Sequence, residues 1–343
     1  MKAVPFERFG GPAVLEPREL ADPVPGPGEA VVRVRACGVN HLDLDLRAGV
    51  SGFPVRFPHL LGIEAAGEVA ACGPGVAGVR AGDRVVVVRA VTCGACAPCL
   101  AGADNLCERR QTFGVDRPGA YAEYLLAPAA NLLPLPPRLG FEEAAAVQVA
   151  FSTAWFMLIE RAGLRAGETV LVTAAGSGVG SAAVQLARHA GARVIATAGA
   201  AAKRARLADL GVEAVVDHGR PDWPAAVRAL AGPGGVDVLF EHVGGGLWAG
   251  ALSVVRRGGR VVTCGAHGGE RVALDLIDLF RRQLTLHGSY SAPTRAVREV
   301  VRLVAEGAVR PVVHAALPLV DAARAHALLA ERAVFGKLVL VPG

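Results

Sequence analysis

Four cysteines within one short stretch offer the clearest chemistry in the sequence. Their spacing, C-x2-C-x2-C-x7-C, is typical of a loop that folds around a tetrahedral Zn²⁺. Because four thiolates complete the coordination sphere and leave no position for water, such a site stabilises structure and does not catalyse. One structural zinc per chain is therefore predicted, and its ligands are Cys93, Cys96, Cys99 and Cys107.

A glycine-rich turn between a buried strand and a helix is the second element that could do chemistry. Glycines at such a turn let the backbone approach a pyrophosphate, which then lies at the positive end of the helix. Ala175 and Ser177 stand where glycines are usual, but both side chains are small enough to fit. The predicted cofactor-binding residues of this turn are Gly176, Ser177, Gly178, Val179 and Gly180.

The next strand predicts which dinucleotide is bound. An acidic residue at its end would hydrogen-bond the ribose 2′-hydroxyl of NAD. Here the segment after Thr197 carries no carboxylate up to residue 200, and Lys203 and Arg204 follow. A 2′-phosphate is then not repelled, and a nearby cation can pair with it. NADPH is the expected cofactor and NADH the alternative. Equally, Lys203 and Arg204 could be ordinary solvated residues on a first helical turn.

Length and composition limit the classes of protein to consider. A chain of 343 residues favours two domains, and an apolar fraction of 52% fits a well-packed α/β protein. No run of about 18 apolar residues occurs, and the N-terminus lacks the apolar segment of a signal peptide, so a cytoplasmic protein without a membrane partner is expected. The seven cysteines indicate reduced thiols. A net charge of +5 from scattered arginines predicts no nucleic-acid partner.

The order of elements predicts an α/β fold with two parts. Residues 1 to about 125 form short β-branched segments separated by Gly and Pro, which indicates an antiparallel barrel. From about residue 168, strands alternate with helices, as in a doubly wound parallel sheet. The last forty or so residues again resemble barrel strands. The predicted domains are 1–128 (catalytic), 129–291 (dinucleotide-binding) and 292–343 (a return segment that completes the catalytic domain).

Together these features resemble the medium-chain dehydrogenase/reductase superfamily, which includes zinc alcohol dehydrogenases and quinone oxidoreductases. The resemblance implies a GroES-like barrel domain, a Rossmann domain and a substrate cleft between them. It covers the whole chain and rests, beside the four cysteines, on the strings ACGVNHLDLDLRAG (36–49), FPHLLGIEAAGEV (57–69), GAYAEY (119–124), AAGSGVG (174–180), RRQLTLHGS (281–289) and FGKLVL (335–340).

The resemblance also implies where a catalytic zinc would lie. In the alcohol dehydrogenases its ligands are Cys, His and a further Cys or Asp, and the matching positions here are Asn40, Ile63 and Gln148. Since such a zinc needs about three protein ligands, the sequence predicts that this site holds none. Another ligand set could be assembled from nearby residues. The candidates are Cys37, His41, Asp43, His59 and Glu64, but Cys37 is expected to be a small buried apolar residue. Cys72 and Cys264 are expected in the core.

Without a Lewis acid, hydride addition to an activated alkene is favoured over alcohol chemistry, because its charge spreads onto a carbonyl oxygen that hydrogen bonds can hold. The resemblance implies that Asn40 and Thr153 orient the nicotinamide, and that His41 or Asp45 donates the proton. It also implies that His218, Lys337 and Thr197 contact the cofactor. Each of Asn40, His41, Asp45 and His218 could instead be an ordinary polar residue. The tyrosines common after GVN in quinone reductases are absent, which weakens the case for a quinone substrate.

The sequence therefore predicts a cytoplasmic NADPH-dependent reductase of an activated C=C bond in a small molecule, with a structural zinc only. The rival is a zinc alcohol dehydrogenase with displaced ligands, and a third hypothesis is an NADPH-binding protein without activity. Two apolar strands, RVVTCGA and LTLHGSY, are expected near the edge of the parallel sheet and predict a homodimer or homotetramer.

Overall fold

The computed structural model describes residues 1–212 and 214–343 of the chain. It divides into two compact units, one of residues 1–149, 293–307 and 311–343 and one of residues 150–292 and 308–310. The predicted boundary after residue 128 falls earlier than this division, and strand 132–134, which lies between the two, pairs within the first unit.

The first unit is built mainly from strands. Its elements up to residue 134 are β1 (Lys2–Ala3), β2 (Pro5–Phe6), β3 (Arg18–Glu19), β4 (Glu29–Gly38), α1 (His41–Ala48), β5 (His59–Leu60), β6 (Ala65–Cys72), β7 (Arg84–Val87), β8 (Ala90–Val91), α2 (Ala97–Leu100), β9 (Gln111–Thr112), β10 (Tyr124–Pro128) and β11 (Leu132–Pro134). Helix α3 (Phe141–Trp155) follows, and the division between the units falls within it.

The second unit alternates strands and helices. Its elements are β12 (Thr169–Val172), α4 (Gly178–His189), β13 (Arg193–Thr197), α5 (Ala201–Ala208), β14 (Ala214–Val216), α6 (Trp223–Ala231), β15 (Val236–Glu241), α7 (Trp248–Ser253), β16 (Val255–Thr263), α8 (Leu276–Arg282) and β17 (Thr285–Gly288). The chain then returns to the first unit with α9 (Thr294–Ala305), β18 (Val313–Pro318), α10 (Ala322–Ala330) and β19 (Lys337–Val341). Short 3₁₀ or π segments are Pro12–Val14, Asp104–Leu106, Ala129–Asn131, Phe156–Arg161, Gly245–Leu247 and Leu319–Asp321.

The main sheet of the first unit has the order β11-β7-β6-β4-β19-β18, and β10 also pairs with β4. Most of its pairs are antiparallel, as predicted, but β18 and β19 run parallel. The reason is that α10 connects them, and a helical crossover brings the chain back in the same direction. The core of this unit includes Val32, Leu61 and Tyr121, each almost fully buried.

The second unit contains a six-stranded sheet of order β14-β13-β12-β15-β16-β17 in which every pair is parallel. This confirms the predicted Rossmann-like α/β fold. The strand order reverses at β12, because β13 lies on one side of it and β15 on the other. Such a reversal is where doubly wound sheets bind ligands, at the carboxyl ends of the strands.

Two predictions about buried residues need correction. Cys72 lies at the end of β6 and is exposed, and Cys264 follows β16 and is only half-buried, so neither is a core residue. Because one residue ends its strand and the other follows its strand, their side chains are not covered by the layer that packs on the middle of the sheet. Cys37 is fully buried, as predicted. No helix of the described residues is long and apolar enough to cross a membrane.

Candidate functional site

The four predicted zinc ligands come together in one loop of the first unit. Their sulfur atoms all lie within 4.8 Å of one another, and no other group of three or more His, Cys, Asp or Glu side chains with this property occurs in the described part of the chain. Backbone N–H groups of Ala95 and Cys96 lower the pKa of Cys93 to about 5, which favours its thiolate. An all-thiolate set suits Zn²⁺, so these residues fit the metal that the spacing predicts.

The cysteine loop is tied to the start of α9 by one carboxylate. Asp104 accepts a 3.0 Å hydrogen bond from the backbone N–H of Thr294 and a second bond from its hydroxyl. The carboxylate therefore satisfies an N–H group that α9 cannot pair internally, at the end of the helix where negative charge is favoured. No motif in the sequence pointed to Asp104, because its partner Thr294 lies 190 residues away.

Asn40 lies at the centre of a polar cluster within the first unit. Its Nδ2 group donates to Glu64 Oε1 at 3.0 Å and to the carbonyl of Gly38 at 3.3 Å. Its Oδ1 atom accepts a 2.7 Å bond from the ammonium of Lys337, which also donates to the carbonyl of Val39 and pairs with Glu64. The orientation of the Asn40 amide is thereby fixed, since each end has a partner of opposite polarity.

Glu64 and Lys337 form a buried ion pair at this cluster. Glu64 is 1% exposed and Lys337 is 6% exposed. The second carboxylate oxygen of Glu64 accepts a 2.8 Å bond from the backbone N–H of Val149. A buried pair of this kind is retained because either partner alone would be an uncompensated charge. The predicted cofactor residue Lys337 thus has three partners within the barrel unit.

The positions that match the alcohol dehydrogenase ligands do not offer a metal set. Ile63 is an apolar side chain with 2% exposure, and Gln148 is fully buried. The Oδ1 atom of Asn40, the third position, faces an ammonium that would repel a divalent cation. The chemistry of these side chains therefore does not fit a catalytic zinc.

Asp43, which the sequence suggested only as an alternative metal ligand, supports the same cluster through the backbone of Asn40. Its carboxylate accepts bonds of 2.8 Å from the N–H of Asn40 and 3.1 Å from that of Gly62. It is completely buried, and burial raises its pKa to about 7 in spite of those two bonds. The predicted proton donors His41 and Asp45 lie on α1 beside it and are half-buried. The predicted residue Thr153 lies on α3, in the second unit.

The predicted phosphate-binding turn links β12 to α4. Ser177 is the N-cap residue of α4, and its Oγ atom accepts a 2.9 Å bond from Gly180 N. A Cβ atom at Gly180 would lie 2.7 Å from the carbonyl oxygen of Ala174, so only glycine fits. Ala174 has a φ of 43°, a left-handed conformation that is strained for alanine. The first N–H groups of a helix lack intrahelical partners, and Ser177 caps only that of Gly180, so those of Gly178 and Val179 can bind an anion.

A second polar group lies at the end of β13. Thr197 Oγ1 is 2.9 Å from His218 Nδ1 and accepts a 3.3 Å bond from Ala174 N. Arg204 pairs with Asp217 at 2.9 Å and donates to the carbonyls of Ala198 and Gly199. The structure thus brings the predicted residues Thr197, Arg204 and His218 together. Asp217, which no sequence motif indicated, belongs to the same polar group. Lys203 lies on the same first turn of α5.

Comparison with known proteins agrees with this fold and these sites. The family described as "Alcohol dehydrogenase GroES-like domain" matches residues 26–137, and "Zinc-binding dehydrogenase" matches residues 178–306. The chain is 29% identical over 349 residues to a quinone oxidoreductase of Sus scrofa (99% of this chain, 98% of the relative) and 32% identical over 314 residues to an alcohol dehydrogenase of Geobacillus stearothermophilus (91% of each).

Among solved structures, an NAD-dependent alcohol dehydrogenase is 47% identical, with a TM-score of 0.97 and full coverage of both chains. The chain therefore belongs to the medium-chain dehydrogenase/reductase superfamily. It is an NAD(P)H-dependent oxidoreductase, as the sequence predicted.

Proposed function

We propose that the protein is an NADPH-dependent reductase of a C=C bond conjugated to a carbonyl group, with a structural zinc at the four cysteines and no catalytic zinc. The observation that carries this proposal is the contact of Lys337 with Asn40 and Glu64. The ammonium of Lys337 lies at the position where a zinc enzyme would need metal ligands. Ile63, next to Glu64, has no side-chain atom that could bind a metal. The similarity to quinone oxidoreductases supports the same reaction class.

The choice of NADPH rests on the end of β13. Residues 198–200 are Ala, Gly and Ala, so this segment itself supplies no carboxylate for a ribose 2′-hydroxyl, and the nearby carboxylate of Asp217 is paired with Arg204. The guanidinium of Arg204 lies beside this segment, and Lys203 is its neighbour on α5. Arg204 is still 27% exposed in its pair with Asp217, so it can also accept a phosphate partner.

When bound, the dinucleotide supplies a hydride. We assign its pyrophosphate to Gly176, Ser177, Gly178, Val179 and Gly180, and its adenosine phosphate end to Thr197, Lys203, Arg204 and His218. In the second unit, Thr153 is the residue assigned to the nicotinamide; in the first unit, the role of Asn40 toward the nicotinamide, with Lys337 acting through Asn40, stays a prediction of the family resemblance. The cluster of Asn40, Glu64 and Lys337 gives the amide one orientation, so no reorganisation is needed during the reaction. His41 or Asp45 supplies the proton that the substrate carbon takes up.

Steady-state turnover tests this proposal. NADPH oxidation is followed at one fixed cofactor concentration with α,β-unsaturated ketones and aldehydes, their saturated analogues and simple quinones. The proposal predicts turnover of the enones, none of the saturated ketones, and no loss of rate after a chelator that leaves the cysteine site loaded. Turnover of saturated ketones or alcohols alone would refute it.

A zinc-dependent alcohol dehydrogenase is the second candidate, because the solved structure with 47% identity is of an NAD-dependent alcohol dehydrogenase. This candidate requires a second zinc at ligands other than Asn40, Ile63 and Gln148. It predicts alcohol oxidation with NAD⁺ and loss of that activity with a chelator. The two candidates therefore differ in cofactor, substrate and metal dependence.

We also propose a homo-oligomer formed at the β17 edge of the parallel sheet. Among the described residues β17 has a neighbouring strand on one side only, and the adjacent α8 exposes Leu276, Ile277 and Phe280 at 53–65%. An open edge with apolar side chains is a surface that a second copy can cover. Sedimentation of the parent protein and of Phe280→Asp tests this: the variant should shift toward monomer. No disulfide joins the cysteines of the described residues, which together with the thiolate site favours a reducing compartment and supports a cytoplasmic location.

A further inference from the structure

The phosphate-binding turn has a neighbour to which the proposed reaction assigns no role, the imidazole of His242. This residue directly follows β15, and β15 pairs with β12, the strand that leads into the turn. The strand order reverses at β12, so the carboxyl ends of β12 and β15 flank the place where this type of sheet binds its ligand. His242 therefore reaches the turn from the adjacent strand.

The contact between the two segments is direct. His242 Nε2 lies 2.9 Å from Ser177 Oγ. The same Oγ atom accepts the 2.9 Å bond from Gly180 N that caps α4. The ring of His242 thus touches the one side chain that shapes the start of the helix.

The backbone that carries His242 is held firmly. The buried carboxylate of Glu241 accepts bonds of 2.8 Å from Val243 N and 2.9 Å from Gly244 N. The ring of Phe240 packs edge-on against the imidazole, with ring centres 5.6 Å apart. The backbone of Gly265 lies close as well, because a Cβ atom placed there would come 2.8 Å from the carbonyl oxygen of His242. The ring itself is therefore held by Phe240 and Ser177, and the backbone that follows it by Glu241.

The surroundings also determine where the imidazole carries its proton. Burial lowers the pKa of His242 to about 4, and the charge of His267 acts in the same direction, so the ring is neutral at pH 7. Its Nδ1 atom is inaccessible and has no hydrogen-bond partner among the described residues. An N–H group buried without an acceptor is rarer than a bare nitrogen without a donor, so the proton belongs on Nε2.

With the proton on Nε2, the Oγ atom of Ser177 accepts two hydrogen bonds, one from His242 and one from Gly180. A hydroxyl has two acceptor positions and one proton, so the proton of Ser177 remains to be donated to a third group. At the N-terminus of α4 the group that fits is an anionic oxygen.

We propose that His242 is a positioning residue for the cofactor, because its bond to Ser177 commits the Ser177 hydroxyl to donate to a phosphate oxygen of a pyrophosphate group. This inference rests on the dinucleotide site of the proposed function, but not on the choice between NADPH and NADH. It predicts that substitution of His242 changes the affinity for NADPH and for NADH by the same factor, since both dinucleotides contain the pyrophosphate.

Binding measurements on single variants and one double variant test this role. His242→Phe keeps a ring but removes the donor, His242→Gln keeps an N–H donor of similar reach, and Ser177→Ala removes the hydroxyl. The matched control is His189→Gln, at the exposed far end of α4. Dissociation constants are measured by fluorescence titration for NADPH and NADH, and by competition for adenosine 2′-monophosphate, which lacks the pyrophosphate.

We expect H242F to weaken the binding of both dinucleotides by about tenfold, which is the loss of affinity typical of one hydrogen bond to a charged group. H242Q should recover most of the affinity, and adenosine 2′-monophosphate should bind all variants within twofold of the parent. In the S177A background, H242F should add less than a twofold effect, because the two residues act through one bond. Should H242F not fold, His242→Asn replaces it, since its shorter amide does not reach Ser177.

Two results would overturn the inference: multiplicative effects of H242F and S177A, or an H242F affinity within twofold of the parent. Failure of the proposed cofactor has a different signature. A parent protein that binds NADH more tightly than NADPH contradicts the choice of NADPH, while the His242 comparison is then decided with NADH. A parent that binds neither dinucleotide contradicts both.

Discussion

Lys337 donates a 2.7 Å hydrogen bond from its buried ammonium group to the Oδ1 atom of Asn40. These residues are close only in the folded barrel, where β19 pairs with the end of β4 and places Lys337 next to the segment that leads into α1. The ammonium satisfies the carboxylate of Glu64 at the same time. The cluster of Asn40, Glu64 and Lys337 therefore contains its own cation, and the side-chain amide of Asn40 has a single orientation.

Lys337→Met is expected to destabilise the protein strongly, because Glu64 would remain buried without its partner. Breaking a buried pair in this way costs about 3–5 kcal/mol. Urea unfolding of the parent, K337M and the exposed-site control Lys2→Met measures the change. The double variant E64Q/K337M should recover part of the loss, and additive effects of the two substitutions would contradict the pairing.

The stability of the protein should depend on the proton of Asp43. Burial raises the pKa of Asp43 from 3.8 to about 7, so the folded protein holds this proton more tightly than the unfolded chain. This contribution is fully present below about pH 4 and is lost as the pH rises to about 7. Asp43→Asn should remove a slope of up to about 1.4 kcal/mol per pH unit in the free energy of unfolding.

The measurement is urea unfolding of the parent and D43N at several pH values between 4.5 and 7.5. Glu7→Gln, at an exposed position, is the control for the removal of one carboxyl group. D43N should be less stable than the parent near pH 4.5, because its amide cannot accept from both Asn40 N and Gly62 N, and this difference should shrink or reverse as the pH rises to 7.5. Equal slopes for D43N and the parent would show that Asp43 is ionised throughout.

Arg204→Ala is expected to weaken the binding of NADPH by about tenfold to a hundredfold and the binding of NADH by less than twofold. The substitution removes a charge-assisted bond to the 2′-phosphate and leaves Asp217 unpaired beside it. Arg193→Ala, at the exposed start of β13, is the control. Equal losses for the two dinucleotides would indicate that Arg204 only maintains the loop after β13.

Asp104→Ala should destabilise the junction between the cysteine loop and α9. Loss of the bonds to the Thr294 N–H and hydroxyl costs about 1 kcal/mol, as for other helix caps. Thermal unfolding compares D104A with the exposed neighbour Glu108→Ala, which should behave as the parent. Hydrogen exchange at the first turn of α9 should be faster in D104A, and unchanged exchange would contradict this anchoring role.

The parts of the protein that depend on local sequence were predictable. The cysteine ligands lie within 15 residues, and the alternation of strands and helices from residue 168 specifies a parallel sheet. Ser177 was identified for its place in the turn, and the structure shows it as the N-cap of α4.

Contacts between distant segments were not predictable. Asn40, Glu64 and Lys337 each stood out in the sequence, but their mutual bonds depend on the register of β4, β6 and β19. The parallel pairing of β18 with β19 likewise follows from tertiary packing. His242 gave one usable signal, its place directly after β15 at the carboxyl end of a central strand.

We propose that this oxidoreductase carries a structural zinc and no catalytic one. Elemental analysis of protein purified without added metal measures the zinc content, with a variant that replaces Cys93 and Cys96 by serine as reference. We predict about one zinc per chain in the parent and almost none in the variant. About two zinc ions per parent chain, one of them retained in the variant, would contradict the claim and make alcohols the substrates to test.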